Sequence, residues 1–329
     1  MKRLLLLLLL PVPAINGLAR EEDPEPPPGI VSARIYTHFN YSLDGENSTA
    51  FEVRRAYFGY ERNLSDHFSA EVKLDIGSVD DQSEFSLIRR YTYFKNAYVS
   101  YTNGNVKTWF GLMDMLQFKL QEKFWGYRYI YKSFMDEHRF GSSADLGAGI
   151  QYTPSEKLGV DLVLSNGEGY KNLQFDNIYR IGTGITFIPW KNLTFRAYYT
   201  IHTSEVHEMI FSGFIGYSLH GWKIGGEYNH QLNYKFSQGH HRYGFSFYTT
   251  YTFNPKWEIF ARYDQLYSNV LPEEEVPWNL GSDGSSVIAG LQFTPIKYIH
   301  LALNYQDWVE YAKNGTSEPY LYLNIEIVF

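Results

Sequence analysis

From residue 321 to the last residue the chain alternates. Leu321, Leu323, Ile325, Ile327 and Phe329 share one face at period two, and Tyr322, Asn324, Glu326 and Val328 share the other. An apolar row opposite a mostly polar one is the pattern of a β-strand with lipid on one side and water on the other. A soluble sandwich strand alternates in the same way, so the weight of the argument lies in repetition. Phe68, Ala70, Val72, Leu74 and Ile76 alternate with Ser69, Glu71, Lys73 and Asp75. Leu193, Phe195, Ala197 and Tyr199 alternate with Thr194, Arg196, Tyr198 and Thr200, and Trp257, Ile259, Ala261 and Tyr263 with Glu258, Phe260, Arg262 and Asp264. The first set of each is expected to face lipid and the second a wet interior. A Lys or Arg facing lipid at the midplane costs about 2–4 kcal/mol, which fixes the register. Residues 211–219 resist this reading, because both faces carry apolar residues and glycine.

Between such runs, short turns alternate with longer loops. The short turns fall near 63–66, 103–105, 154–157, 189–192, 220–221, 254–256 and 295–297, where Asn, Gly, Pro and Asp supply turn chemistry. The longer loops fall near 43–48, 79–90, 115–140, 167–176, 203–207, 233–240, 268–284 and 310–318. Seven turns and eight loops predict an all-β, antiparallel up-and-down transmembrane barrel of about 16 strands, the first over residues 30–42.

The N-terminus supplies a route to a membrane. Lys2 and Arg3 form a basic start, residues 4–10 an apolar run, and Gly17-Leu18-Ala19 a small-residue cleavage site. Residues 1–19 therefore read as a signal peptide. The leucine run is too short to span a bilayer as a helix. Residues 20–29 are acidic and proline-rich and read as a disordered periplasmic lead-in to a barrel over 30–329. No plug domain is evident before the first strand, which argues against energy-coupled uptake. The chain has no cysteine, which excludes disulfide staples and thiolate metal sites. Aromatics make up 18%, with 29 tyrosines, a composition suited to strands and to interfacial girdles. Removing Lys2 and Arg3 from the 29 basic residues leaves 27 against 36 acidic, a charge of −9 that argues against a nucleic-acid partner.

The most distinctive segment is 115–140, MLQFKLQEKFWGYRYIYKSFMDEHRF. A long aromatic, basic loop left in solvent would aggregate, so it is expected to pack, and the lumen is the natural place. The alternative is a loop lying over the rim or between subunits. Folded inward, its Lys119, Lys123, Arg128 and Lys132 would sit at a constriction and favour anions, with Arg196, Lys223 and Arg262 extending a basic track along the wall. Lys73 lies between Glu71 and Asp75 and reads as part of an ion-pair network in the wall. Adjacent Arg54 and Arg55 break the alternation, so one of them is expected to point outward. With Arg89, Arg90 and Lys95 they would form a rim cluster that meets anionic lipopolysaccharide or collects anions.

His202, His207, His230, His240 and His241 fall near the loop ends but match no compact ligand motif, so they read as interfacial polar residues rather than a metal site. Glu273-Glu274-Glu275 reads as a solvated loop. The Gly-x-Ser-x-Gly and His-Glu-x-x-His patterns are absent, so no catalytic residue, metal or cofactor is assigned.

Residues 51–60, FEVRRAYFGY, followed by 68–75, FSAEVKLD, resemble the opening of the phosphate-selective porin O and P family. Residues 117–128, QFKLQEKFWGYR, and 165–170, SNGEGY, are similar to segments of its relatives in Bacteroidetes-type bacteria. The resemblance implies a sixteen-stranded trimeric barrel with a loop folded into the lumen. Phosphate selectivity in named members rests on an arginine ladder and lysine clusters, and this chain shows no unmistakable ladder. The expectation is an outer-membrane porin that passes small hydrophilic solutes with a mild preference for anions, phosphate being a candidate. An oligosaccharide channel, or a barrel enzyme or surface-binding protein, is the alternative. The expected partners are the lipid bilayer, lipopolysaccharide, small solutes or anions, two further copies in a homotrimer, and the barrel-assembly machinery. That machinery is expected to read Ile325, Ile327 and Phe329.

Overall fold

The computed structural model describes residues 28–44, 48–77, 92–310 and 317–329. The expected signal peptide, most of the lead-in, Arg89 and Arg90 lie outside the described residues. Sixteen antiparallel strands, β1 (Ile30–Ser42) to β16 (Ser317–Val328), close into one barrel in which each strand pairs with its sequence neighbours and β1 pairs with β16. The closing seam runs from Arg34 opposite Val328 to Ser42 opposite Tyr320. Every strand edge is therefore paired, the condition for strands to cross hydrocarbon.

The outward rows are the ones the alternation predicts. Phe68 and Val72 on β3 (Phe68–Ile76), Phe195 on β9 (Leu193–His202), Ile259 on β13 (Trp257–Ser268), and Leu321 and Leu323 on β16 are exposed and apolar. Between them, Asp75, Arg196, Asp264 and Asn324 are buried. Trp190, Trp222, Trp257 and Tyr298 stay exposed at the short-turn end, as rings do at a membrane interface.

Among the described residues six strand pairs carry a register shift, four of them beside the short turns; the two within the wall are β-bulges that break the alternation. On β2 (Thr49–Asn63), Tyr36 faces Arg55 while Thr37 faces Val53, so Arg54 is the extra residue. The bulge turns both arginines inward: Arg55 is buried, and Arg54 Nη1 donates to the carbonyl of Ile130 at 3.1 Å. The expectation that one of the pair faces outward is thereby corrected. On β4 (Thr92–Asn103), Lys73 faces Asn96 and Leu74 faces Phe94, so Lys95 is extra. Lys95 and Asn96 are both buried, and Lys95 is not a rim residue.

Residues 211–219 are settled by their neighbours. On β10 (Glu208–Leu219), Ile210, Ser212 and Phe214 are buried and Phe211, Ile215 and Tyr217 are exposed. The inward row is partly apolar because it packs against protein rather than water.

Candidate functional site

That protein is the segment between β5 (Val106–Asp114) and β6 (Ala144–Ser155). It contains two short helices, α1 (Lys119–Trp125) and α2 (Phe134–Glu137). Gly126 ends α1 in the left-handed conformation at φ 82°, and its N–H bonds back to Glu122. Aromatic side chains on both sides of Gly126 pack against inward-facing side chains of the wall. Phe124 meets Phe214 at 5.4 Å between ring centroids, Trp125 meets Tyr248 at 5.3 Å, and Tyr127 meets Phe260 at 4.6 Å. Gly216 leaves the room, since a Cβ there would lie 2.6 Å from the Phe124 ring. Trp125, Tyr129, Ile130 and Phe134 are buried as a result. The hydroxyls reach further partners: Tyr127 donates to Glu258 at 2.9 Å and Tyr129 to Gln292 at 2.7 Å.

Wall arginines hold the main chain of this segment. Arg196 donates to the Leu116 carbonyl at 2.9 Å, Arg54 to Ile130 at 3.1 Å, Arg262 to Lys132 at 2.7 Å and Arg242 to Arg139 at 2.6 Å. A hydrogen bond from a charged donor contributes about 1.5–3 kcal/mol, so together these clamps fix the segment strongly. Two of them belong to the expected basic track. Arg196 is paired bidentately with Asp161 at 2.8 and 3.1 Å, and Arg262 with Asp264 at 2.6 and 2.8 Å. Both guanidinium groups are buried and ion-paired, and both hold loop carbonyls. Lys223, on β11 (Trp222–Leu232), is half-buried beside Gly126, on the side of the barrel against which the loop leans.

The open space lies on the opposite side, between the loop and β1 to β5. A chamber of about 280 Å³ there is lined by Arg34, Lys73, Lys95, Lys119 and Arg128 against Asp114 and Glu122. It opens toward the short-turn end, where Ser32 and Phe329 border it. A second chamber, of about 470 Å³, lies toward the long-loop end and is lined by Arg55, Lys132, Arg139, Lys171, Arg180 and Lys235 against Asp136, Glu168 and Glu208. The two chambers share Ser143. In a chain of net charge −7 both chambers are thus lined by more cations than carboxylates.

At the junction the charges alternate. Lys95 lies 3.8 Å from Asp114, Asp114 lies 2.6 Å from Lys119, Lys119 lies 3.8 Å from Glu122, and Arg128 bonds to both Glu122 and Asp136. Burial alone would raise the Asp136 carboxyl, but Arg128 and Lys132 outweigh it and hold it down at about 2. Asp136 therefore stays ionised at any physiological pH. Lys132 lies 3.7 Å from Glu137, and Lys123 is exposed on α1 and borders neither chamber.

Of the loop cations singled out in the sequence, Lys119 and Arg128 line the first chamber and Lys132 the second. Sequence reasoning missed Arg34 across from them, and placed Arg55 and Lys95 in a rim cluster rather than on the chamber walls. A signal for the bulges was present. The apolar outward row changes parity, from Phe51 and Val53 to Ala56 and Phe58 on β2, and from Phe94 to Ala97 and Val99 on β4. Lys73 pairs with Glu71 as expected, whereas Asp75 pairs with Arg55 at 3.3 Å.

The histidines do not converge on one point. His240 stacks on Trp278 at 4.7 Å, and His241 accepts from the Asn233 N–H at 3.2 Å. Among the described residues no three His, Cys, Asp or Glu side chains are grouped to hold a metal ion. Glu273, Glu274 and Glu275 are exposed.

No family model and no curated relative matches this sequence. Solved structures are similar in fold. OmpF of Salmonella typhi, in a complex with daunomycin, superposes with a TM-score of 0.70 at 11% identity, covering 92% of this chain and 97% of that one. OprB of Pseudomonas putida gives 0.66 at 10% identity over 92% and 94%, and an anion-selective porin from Comamonas acidovorans gives 0.64 at 11% over 92% and 99%. At such identities the likeness is one of fold, a closed barrel over nearly the full length of each chain.

Proposed function

We propose that the protein is an outer-membrane porin, a non-enzymatic passive channel for small hydrophilic solutes with a mild preference for anions. The observation that carries this reading is the pair of charged chambers, both lined by Ser143, on the side of the barrel that the loop leaves open. A barrel of sixteen strands is wide enough for an aqueous channel. The preference is mild because the cations of the first chamber have carboxylates beside or behind them: Glu326 lies 3.4 Å from Arg34, and Glu71 pairs with Lys73. The short turns and both chain ends then belong to the periplasm, and the long loops face outward. The resemblance to the phosphate-selective family adds homotrimer assembly to the proposal, with lipopolysaccharide at the outer rim. A second reading, an oligosaccharide channel, is favoured by Tyr36 and Tyr57, whose rings meet edge to face at 5.9 Å on the wall of the first chamber.

Purified protein in a planar bilayer should give stepwise, ohmic conductance with no substrate added, and a reversal potential under a salt gradient that favours anions. Replacing Lys119 and Lys132 together by glutamine should move that potential toward cations at low salt, since charges in a narrow passage are incompletely screened. A non-conducting barrel that hydrolyses lipid or ester would overturn the channel. A wild-type conductance without charge preference that maltooligosaccharides block would favour the sugar reading.

A further inference from the structure

The loop cations are what the sequence advertises, but the geometry points to a different residue as the one that decides charge selection. We infer that Lys95, on the wall opposite the loop, is the specificity-determining residue of the passage. The inference rests on the channel reading above and names the residue that sets its selectivity.

Four observations carry it. Lys95 is the extra residue of the β4 bulge, and without that bulge the period-two alternation would send either it or Asn96 to lipid. The chain tolerates this irregularity at a lysine that is only 6% exposed. Its ammonium bonds to Ser143, the residue common to both chambers, and lies 4.4 Å from the centre of the Tyr170 ring, which borders the outer one. It thus stands where a solute crosses from one chamber to the other.

Its charge is also the least compensated of the alternating row. Asp114 is its nearest carboxylate at 3.8 Å, beyond hydrogen-bonding distance, and Asp114 makes its close contact with Lys119 at 2.6 Å. Arg128 holds two carboxylates and Lys119 approaches two. Lys95, Lys119 and Arg128 balance Asp114, Glu122 and Asp136 one for one, so removal of Lys95 leaves the row net negative. Arg55 comes from the companion bulge, but Asp75 at 3.3 Å neutralises it.

The experiment compares wild type, Lys95→Met, Lys95→Arg and Lys157→Gln, the last an exposed turn lysine far from the passage. Reversal potentials are read in planar bilayers under a potassium chloride gradient at low salt. A unit charge about 5 Å from an ion in a water-like dielectric changes its local concentration about fourfold. The anion-to-cation permeability ratio of Lys95→Met should therefore fall at least about fourfold, Lys95→Arg should restore it, and Lys157→Gln should leave it unchanged. The chain has no cysteine, so Lys95→Cys offers a second reading that does not depend on Met being accommodated. A cationic thiosulfonate should return the potential toward wild type, and an anionic one should drive it further toward cations. A Lys95→Met or Lys95→Cys channel that conducts with the wild-type ratio, or is indifferent to the sign of the reagent, overturns the inference and leaves the channel reading standing. A wild-type protein that does not conduct overturns both.

Discussion

Replacing Ile325 by lysine should abolish most of the folded, heat-modifiable protein. Ile325 lies in the outward row of β16, opposite Thr37 on one neighbouring strand and Leu301 on the other. A lysine there meets hydrocarbon at a cost of about 2–4 kcal/mol if it lies near the midplane, less toward the rim. The position also lies on the seam that closes the barrel, so a slipped β16 exposes two strand edges rather than one side chain. Removing Phe329 tests the end of the same seam. Its N–H donates to the Ala33 carbonyl at 2.9 Å and its carbonyl accepts from Ala33 at 3.4 Å, while its ring is exposed and adds little to the core. If the assembly machinery reads that ring, loss of Phe329 should lower the yield in cells far more than the yield of refolding into lipid. Equal losses in both would make its role one of pairing alone. Normal yields of both variants in cells would remove the closing role of the seam.

What the sequence made legible follows from which partner each face has. The outward rows had one partner, lipid, which demands apolar residues everywhere, so β3, β9, β13 and β16 could be read from alternation alone. Inward rows have two kinds of partner, water and the loop. Glu71 and Lys73 face water and look polar in sequence, whereas Ile210 and Phe214 face the loop and look like the outside of the barrel. No period-two count separates those cases, because the difference is made by residues about ninety positions away. The passage was hidden for another reason. A bulge shifts parity by one, so Arg54–Arg55 reads as a pair split between lipid and lumen, and Lys95 reads as a rim residue, until the neighbouring register is known. Arg196 and Arg262 were placed on the correct face, but their partners Asp161 and Asp264, and the loop carbonyls they hold, come together only in three dimensions.

Those clamps lead to the second large effect. Arg262→Leu should loosen the loop and raise the single-channel conductance. Arg262 is buried, binds Asp264 with two nitrogens, donates its remaining Nη1 to the Lys132 carbonyl, and lies 5.1 Å from the centre of the Trp125 ring. Leucine removes the carbonyl clamp and leaves a fully buried carboxylate without its partner, which costs about 3–5 kcal/mol. Released on this side, the loop no longer seals against β13 and can flicker, so current noise should grow along with mean conductance. The double variant Arg262→Leu/Asp264→Leu separates the two contributions. It relieves the unpaired charge but not the missing clamp, so thermal resistance to unfolding should recover while the conductance stays high. Wild-type heat-modifiability and wild-type conductance in the single variant would mean that the aromatic contacts of Phe124, Trp125 and Tyr127 hold the loop unaided, and Arg262 would then be a buried ion pair with no part in shaping the passage.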